Sequence, residues 1–89
     1  MADRIRSKLQ AKFHPQRLEV LDESARHKGH AGARPGGETH FRVVIVAEAF
    51  RGKSRLERQR VIHALLVDEL ADGLHALSIA ARIPEDPHS

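Results

Sequence analysis

The side chains of this sequence that can bind a metal are histidines and carboxylates, because the chain has no cysteine. Without thiols it forms no disulfide and supplies no thiolate ligand. The 89 residues do include seven histidines, a rich supply of imidazole. His27 and His30 stand three positions apart in a glycine-rich stretch, so both could reach one metal ion. The alternative for this pair is two solvated loop histidines without a ligand.

Two further histidines belong to predicted elements, one to a strand and one to a helix. His75 is at the start of the last predicted strand, where a strand-edge histidine bonded to backbone is the alternative to a ligand. His63 falls on the apolar side of a predicted helix, and we expect it to be partly buried in the core.

A second candidate site is the basic segment around Gly52-Lys53-Ser54, directly before the second predicted helix. Free N–H groups and the positive end of the helix dipole suit a phosphate at such a position. The complete phosphate-binding loop is excluded because Ala47 stands where that pattern has its first glycine. A solvated basic helix start is the alternative. The cationic residues of this segment are Arg51, Lys53, Arg55, Arg58 and Arg60.

Composition limits the function classes further. The formal charge of +3 and a pI near 10.0 mildly favour acidic partners. Three phenylalanines without tyrosine or tryptophan argue against single-strand binding by base stacking. No serine has a neighbouring pattern that would activate it as a nucleophile, so we predict that the chain is not an enzyme.

Hydrophobic periodicity predicts the elements that position these residues. Ile5, Leu9 and Phe13 form one stripe of a helix, and Ser54 with Glu57 forms a capping box at the start of another. On this second helix a broad apolar side predicts burial along its length. Its members are Leu56, Gln59, Ile62, His63, Leu65, Leu66, Val67 and Leu70.

The order of the predicted elements is helix, strand, strand, helix, strand. This order predicts an α+β single domain over residues 1–83, with helices on one face of a three-stranded sheet and a disordered tail over 84–89. A long flexible loop is predicted over 23–38, from four glycines and a proline without periodicity. The helices are predicted over 2–13 and 54–71, and the strands over 17–22, 41–46 and 74–81. No apolar run is long enough for a membrane span and no secretory leader is visible, so we expect a cytoplasmic protein.

Several stretches together resemble the BolA family, in the family's order and over about residues 3–82. One departure is Gln59, where many relatives carry a histidine. The resembling stretches are Leu18-Glu19-Val20, Asp22-Glu23-Ser24, Gly37-Glu38-Thr39-His40-Phe41-Arg42-Val43, the segment from Phe50 to Arg60, Glu69-Leu70 and Leu74-His75-Ala76-Leu77-Ser78-Ile79.

The resemblance implies a fold like a type II KH domain and pairing with a monothiol glutaredoxin around a bridging 2Fe–2S cluster. In that family the histidine at the start of the last strand is one ligand, which here is His75. The second ligand lies in the loop between the first two strands, which here leaves His27 or His30. The partner's cysteine and glutathione would supply the remaining ligands, so no cluster is expected to be bound tightly by the isolated chain. We expect His40 to be a neighbour that supports the metal ligands structurally.

The resemblance also implies an alternative function, a nucleic-acid-binding transcriptional regulator with a KH-like fold. The DNA would contact the basic residues named above, between Arg51 and Arg60. The sequence leaves open whether the isolated chain is a monomer or a homodimer.

Overall fold

A three-stranded mixed sheet carries helices on one of its faces, which confirms the predicted α+β class. The computed structural model describes residues 1–23 and 40–84. The strands are β1 (Arg17–Asp22), β2 (His40–Val46) and β3 (Ala76–Arg82). β2 is the central strand, with β1 antiparallel on one side and β3 parallel on the other. The predicted loop over 23–38 and the predicted tail over 84–89 lie almost wholly outside the described residues.

The first helix matches its prediction. α1 (Ala2–Phe13) buries Ile5, Leu9 and Phe13 against the sheet. It ends at His14, which has the positive φ of 46° at the helix C-cap. Pro15 follows, and the residue before a proline is disfavoured in the α region, so the chain must leave the helix here.

The second predicted helix begins as expected and then breaks. The Ser54 hydroxyl accepts from the Glu57 N–H at 3.1 Å, and the Glu57 carboxylate accepts from the Ser54 N–H at 2.8 Å, so the capping box is present. A 3₁₀ turn (Glu48–Phe50) precedes it. The prediction of one helix to residue 71 is wrong: the chain bends at Leu66, which separates α2 (Arg55–Leu65) from α3 (Val67–Ala71).

The buried side predicted for this helix is also partly wrong. Leu56 and Val67 are 57% and 59% exposed, and His63 is exposed rather than part of the core. The inward residues are Ile62, Leu66 and Glu69. The break at Leu66 interrupts the single helix that the wheel assumes. Leu56 and His63 precede the break, and they are exposed because the inward stripe of α2 is narrower than the wheel predicts. On α3 the inward residue is a carboxylate, Glu69.

The core lies between the central strand and the helices. Phe41, Val43 and Ile45 alternate along β2 toward the helices, as expected for a strand with one covered face. The rings of Phe13 and Phe50 meet with centroids 4.9 Å apart, within the usual range for aromatic pairs. Other members of the cluster are Ile5, Leu9, Ala47, Ile62, Leu66 and Leu74. None of the helices in the described ranges has the length and apolar composition to cross a bilayer.

A buried carboxylate joins α3 to α1. Glu69 is 1% exposed and accepts from Lys8 Nζ at 2.8 Å and from Arg4 Nε at 3.1 Å. Burial by itself would raise the pKa of Glu69, but the Lys8 hydrogen bond and the charges of Lys8 and Arg4 outweigh it. The pKa of Glu69 is therefore held below its ordinary value.

We expect Glu69→Gln to lower the free energy of unfolding at neutral pH by about 1.5–3 kcal/mol, the usual value of a hydrogen bond to a charged group. Because its folded pKa is lowered, the Glu69 carboxylate stabilises the fold above its unfolded pKa, and that stability is lost as the pH falls through the folded pKa. Between pH 7 and pH 3 the variant should therefore lose less unfolding free energy than the wild type, as measured by urea unfolding. The exposed neighbour Asp68→Asn is the control and should change the unfolding free energy by less than about 0.5 kcal/mol. Equal effects of both variants would contradict the role given to Glu69.

Candidate functional site

The pairing of β2 with β3 brings two histidines together. His40 is in register with Ala76, so His75 lies beside it, one residue before the strand begins. The ring centroids of His40 and His75 are 6.5 Å apart, and the ring planes differ by 25°. The His75 side chain is exposed and the His40 side chain is half-buried. An exposed imidazole at this edge of the molecule is accessible to an external ligand or partner.

The backbone of His75 is anchored on both sides. Gly73 adopts a φ of 120°, a conformation that favours glycine, and turns the chain out of α3. Leu74 is 3% exposed in the core, and its N–H donates to the Glu69 carbonyl at 3.1 Å. Ala76 then enters the β2 ladder. β3 therefore begins later than the predicted 74, and the fixed backbone at 74 and 76 holds His75 at a defined place with its ring outward.

The other two predicted ligands, His27 and His30, lie outside the described residues. Within the ranges 1–23 and 40–84, no three histidines, cysteines or carboxylates come together as a metal site. The described part of the chain thus offers the pair His40 and His75.

The five cations of the basic segment are in different environments. The Arg51 guanidinium binds the Glu48 carboxylate through two contacts, one of them at 3.0 Å, and this hydrogen bond lowers the pKa of Glu48. Arg55 and Arg60 are exposed, and Lys53 is half-buried. Arg51 and Lys53 precede α2, and the other three lie in its first half. Arg51, Arg55 and Arg60 are the exposed members of the five.

The N-terminus of α2 also carries a negative group. The Glu57 carboxylate binds the Ser54 N–H, and these hydrogen bonds with Ser54 lower the pKa of Glu57. A phosphate approaching this helix end would meet an ionised carboxylate already bound to one of the backbone donors. The favourable charge for an anion therefore comes from the arginine side chains rather than from the helix end.

Arg58 and the adjacent Gln59 bind the edge of β3. Arg58 donates to the carbonyls of Lys53 at 3.1 Å and Ala81 at 2.9 Å, and Gln59 donates to the Ile79 carbonyl at 3.0 Å. Sequence reasoning missed this role, because the β3 acceptors are backbone groups about 20 positions away that no side-chain pattern reveals. A cleft of about 300 Å³ lies alongside, bordered by Arg55, Arg58, Gln59 and residues 79–82.

Fold and site together define a small α+β domain that presents an accessible histidine beside its central strand. A family model described as BolA-like protein matches residues 9–86. The chain therefore belongs to the BolA-like protein family, as its sequence had suggested.

Individual relatives agree with this assignment. The chain is 52% identical over 87 residues to SufE-like protein 1, chloroplastic/mitochondrial, of Arabidopsis thaliana, covering 93% of this chain and 24% of that protein. It is 46% identical over 77 residues to the DNA-binding transcriptional regulator BolA of Escherichia coli (strain K12), covering 86% of this chain and 70% of that one. The solved structure of BolA1 from Arabidopsis thaliana superposes with a TM-score of 0.86 at 46% identity, covering 98% and 96% of the two chains.

Several relatives are longer than this sequence. The chain spans about a quarter of SufE-like protein 1 (24%) and 56% of the chloroplastic BOLA1 protein of Arabidopsis thaliana. The names of these two relatives place them in organelles, so the cytoplasmic location of this chain stays a prediction.

The contacts of Arg58 lead to a test of its structural role. We expect Arg58→Met, which keeps most of the apolar stem, to lower the free energy of unfolding by about 1–3 kcal/mol, since it removes donors to two part-buried carbonyls. Thermal or urea unfolding measures the change. Arg55→Met, which removes the same charge from an exposed position on the same helix, is the matched control and should be nearly neutral. Equal stability of the two variants would show that the bonds of Arg58 do not support the fold.

Proposed function

We propose that this protein is a non-catalytic iron–sulfur adaptor that binds a monothiol glutaredoxin and shares a bridging 2Fe–2S cluster with it. The observation that carries the proposal is the exposed, backbone-anchored imidazole of His75 beside His40. Membership of the BolA-like family supports it, because the resemblance assigns a ligand to this position.

The donor set of the chain suits a shared cluster. A 2Fe–2S cluster is held by four ligands. A chain without cysteine offers imidazole, and in this proposal His75 and one of His27 or His30 bind one iron. The partner's cysteine and glutathione complete the other iron. Replacement of two thiolates by two imidazoles makes a cluster less negative and raises its potential, as in Rieske centres.

His40 acts as a supporting residue in this proposal. Its ring lies nearly parallel to that of His75, and its backbone is held in the β2 ladder. A neighbour fixed in this way limits the orientations that the His75 ring adopts, and groups behind a metal ligand commonly set its orientation. The chain would thereby keep one ligand ordered while partners exchange.

We expect anaerobic reconstitution with a monothiol glutaredoxin and glutathione to give a heteromeric cluster, whose visible absorption and circular dichroism differ from those of the glutaredoxin homodimer. His75→Ala should abolish that spectrum with little change in stability, because the side chain is exposed. His27→Ala and His30→Ala, made separately, identify the second ligand as the variant that also abolishes it.

The matched control is His63→Ala. His63 is likewise an exposed histidine, on α2, with Nδ1 2.8 Å from the Gln59 carbonyl oxygen, and its removal should leave the heteromeric spectrum unchanged. If the wild type and His75→Ala both leave the glutaredoxin spectrum untouched, ligation by His75 is wrong.

A second candidate function, DNA binding, is favoured by one observation. A relative 46% identical to this chain is named a DNA-binding transcriptional regulator. The surface for it would be the start of α2, where Arg55 and Arg60 are exposed and Lys53 is half-buried. Because Arg58 binds the backbone of β3, an Arg58 variant that loses DNA binding could have lost either its fold or a DNA contact. Arg58 is therefore not used in the test.

We expect DNA affinity, measured by fluorescence anisotropy, to fall steeply as salt rises, because each neutralised phosphate releases counterions. Replacement of Lys53 or Arg55 by alanine should weaken binding and reduce the slope of log affinity against log salt by about 1 for each phosphate that is no longer neutralised. Arg6→Ala, which removes an exposed arginine of α1, is the control and should leave the slope unchanged. An unchanged slope in the Lys53 and Arg55 variants would exclude this surface.

A further inference from the structure

The cleft of about 300 Å³ beside β3 lies between the first half of α2 and the second half of the strand. It is separate from the histidine pair, because His75 precedes β3 and the cleft begins at Ile79, roughly 13 Å further along the strand. The described residues that border it include three arginines, Arg55, Arg58 and Arg82, and no carboxylate. A cleft bordered by charge of one sign favours a ligand of the opposite sign.

Arg58 forms the fixed side of this cleft. Its Nε donates to the Lys53 carbonyl at 3.1 Å and its Nη1 donates to the Ala81 carbonyl at 2.9 Å. Within the described ranges, nothing accepts a hydrogen bond from its Nη2. Because two hydrogen bonds already hold the guanidinium, little side-chain freedom is lost when Nη2 binds a ligand. Arg58 therefore presents a preorganised donor to the cleft.

Arg55 supplies further donors from the same side of α2. It is exposed and makes no hydrogen bond or ion pair with the part of the chain that the structure describes. A guanidinium has five N–H donors and stays charged at every pH at which the protein is folded. Arg55 stands three positions before Arg58, so the two side chains are neighbours on the helix surface. Their like charges repel each other, and an anion bound between them offsets that repulsion.

The edge of β3 adds backbone donors. The Ala47 N–H donates to the Arg82 carbonyl at 2.9 Å, so even-numbered residues of β3 face β2 and odd-numbered residues face outward. The outward carbonyls of Ile79 and Ala81 accept from Gln59 and Arg58. Since these acceptors are occupied, the outward groups that a ligand can bind are the N–H donors of the same two residues.

We propose that this cleft binds the phosphate group of a small phosphate monoester. Such a group carries a charge of about −1.5 to −2 at pH 7 and three acceptor oxygens. Arginine binds phosphate oxygens through paired N–H donors, and Arg55 and Arg58 together match the double charge. A volume of about 300 Å³ is at the lower end of the range for small-ligand sites, so the cleft holds the phosphate and a short attached group.

A phosphodiester suits the cleft less well. It carries one negative charge instead of two, and its chain continues on both sides of the phosphorus. Arg55 also belongs to the surface proposed for DNA, so the experiment must separate a monoester from a backbone phosphate. Arg82 already has an interaction partner, and the donors assigned to the ligand are therefore those of Arg55, Arg58 and the β3 edge.

NMR titration of the isotope-labelled full chain with glycerol 3-phosphate tests the proposal. We expect saturable shifts of the Ile79 and Ala81 amide signals. Arg55→Met should raise the dissociation constant about tenfold or more, because it removes charge-assisted hydrogen bonds to the ligand. Arg60→Met is the matched control, since it removes the same charge from an exposed position of α2 that does not border the cleft. Equal weakening in both variants, or the absence of saturable shifts at Ile79 and Ala81, would overturn the proposal.

Two further probes identify the kind of phosphate. Inorganic phosphate, which has a similar charge, should displace glycerol 3-phosphate from the cleft. Dimethyl phosphate, a phosphodiester with a single charge, should bind at least about tenfold more weakly than glycerol 3-phosphate. If dimethyl phosphate binds as tightly as glycerol 3-phosphate, the cleft accepts phosphodiesters such as the DNA backbone, and its assignment to a monoester is wrong.

Discussion

The whole structure depends on the double pairing of β2. Its backbone is hydrogen-bonded to β1 on one side and to β3 on the other, while Phe41, Val43 and Ile45 place the core on the helix face. A strand bonded on both sides has fixed register in both directions, because a slip by one residue would turn every core side chain to solvent. His40 begins this strand, so the position of His75 beside it follows from the same register.

Ion pairs and side-chain hydrogen bonds stabilise the helices in addition to the apolar core. α3 is only five residues long and too short to be stable alone, yet it carries the buried Glu69 that binds Lys8 and Arg4 of α1. α2 is tied to the far edge of the sheet by Arg58 and Gln59. Polar and charged side chains thus join α3 to α1 and α2 to β3. The N–H of Leu74 is bonded to the Glu69 carbonyl immediately before His75.

The proposed adaptor and the proposed DNA contact use different parts of the molecule. The histidines stand at one end of the β2–β3 pair, and the basic residues lie just before α2 and in its first half. The two proposed partners would therefore bind separate surfaces. Under both proposals, the partner that is present decides what the protein does.

The sequence by itself determined the element order, the family, α1, β1 and the capping box at Ser54, since each depends on residues close together in the chain. The apolar spacing of Ile5, Leu9 and Phe13 and the proline after His14 are local, so they could be read directly. It also singled out His75, through family resemblance. The tertiary structure decided the bend at Leu66, the burial of Glu69 in place of His63, the bonds of Arg58 to β3 and the closeness of His40 to His75. These depend on groups far apart in the chain, whose meeting is set by the packing of helices on the sheet and by strand register.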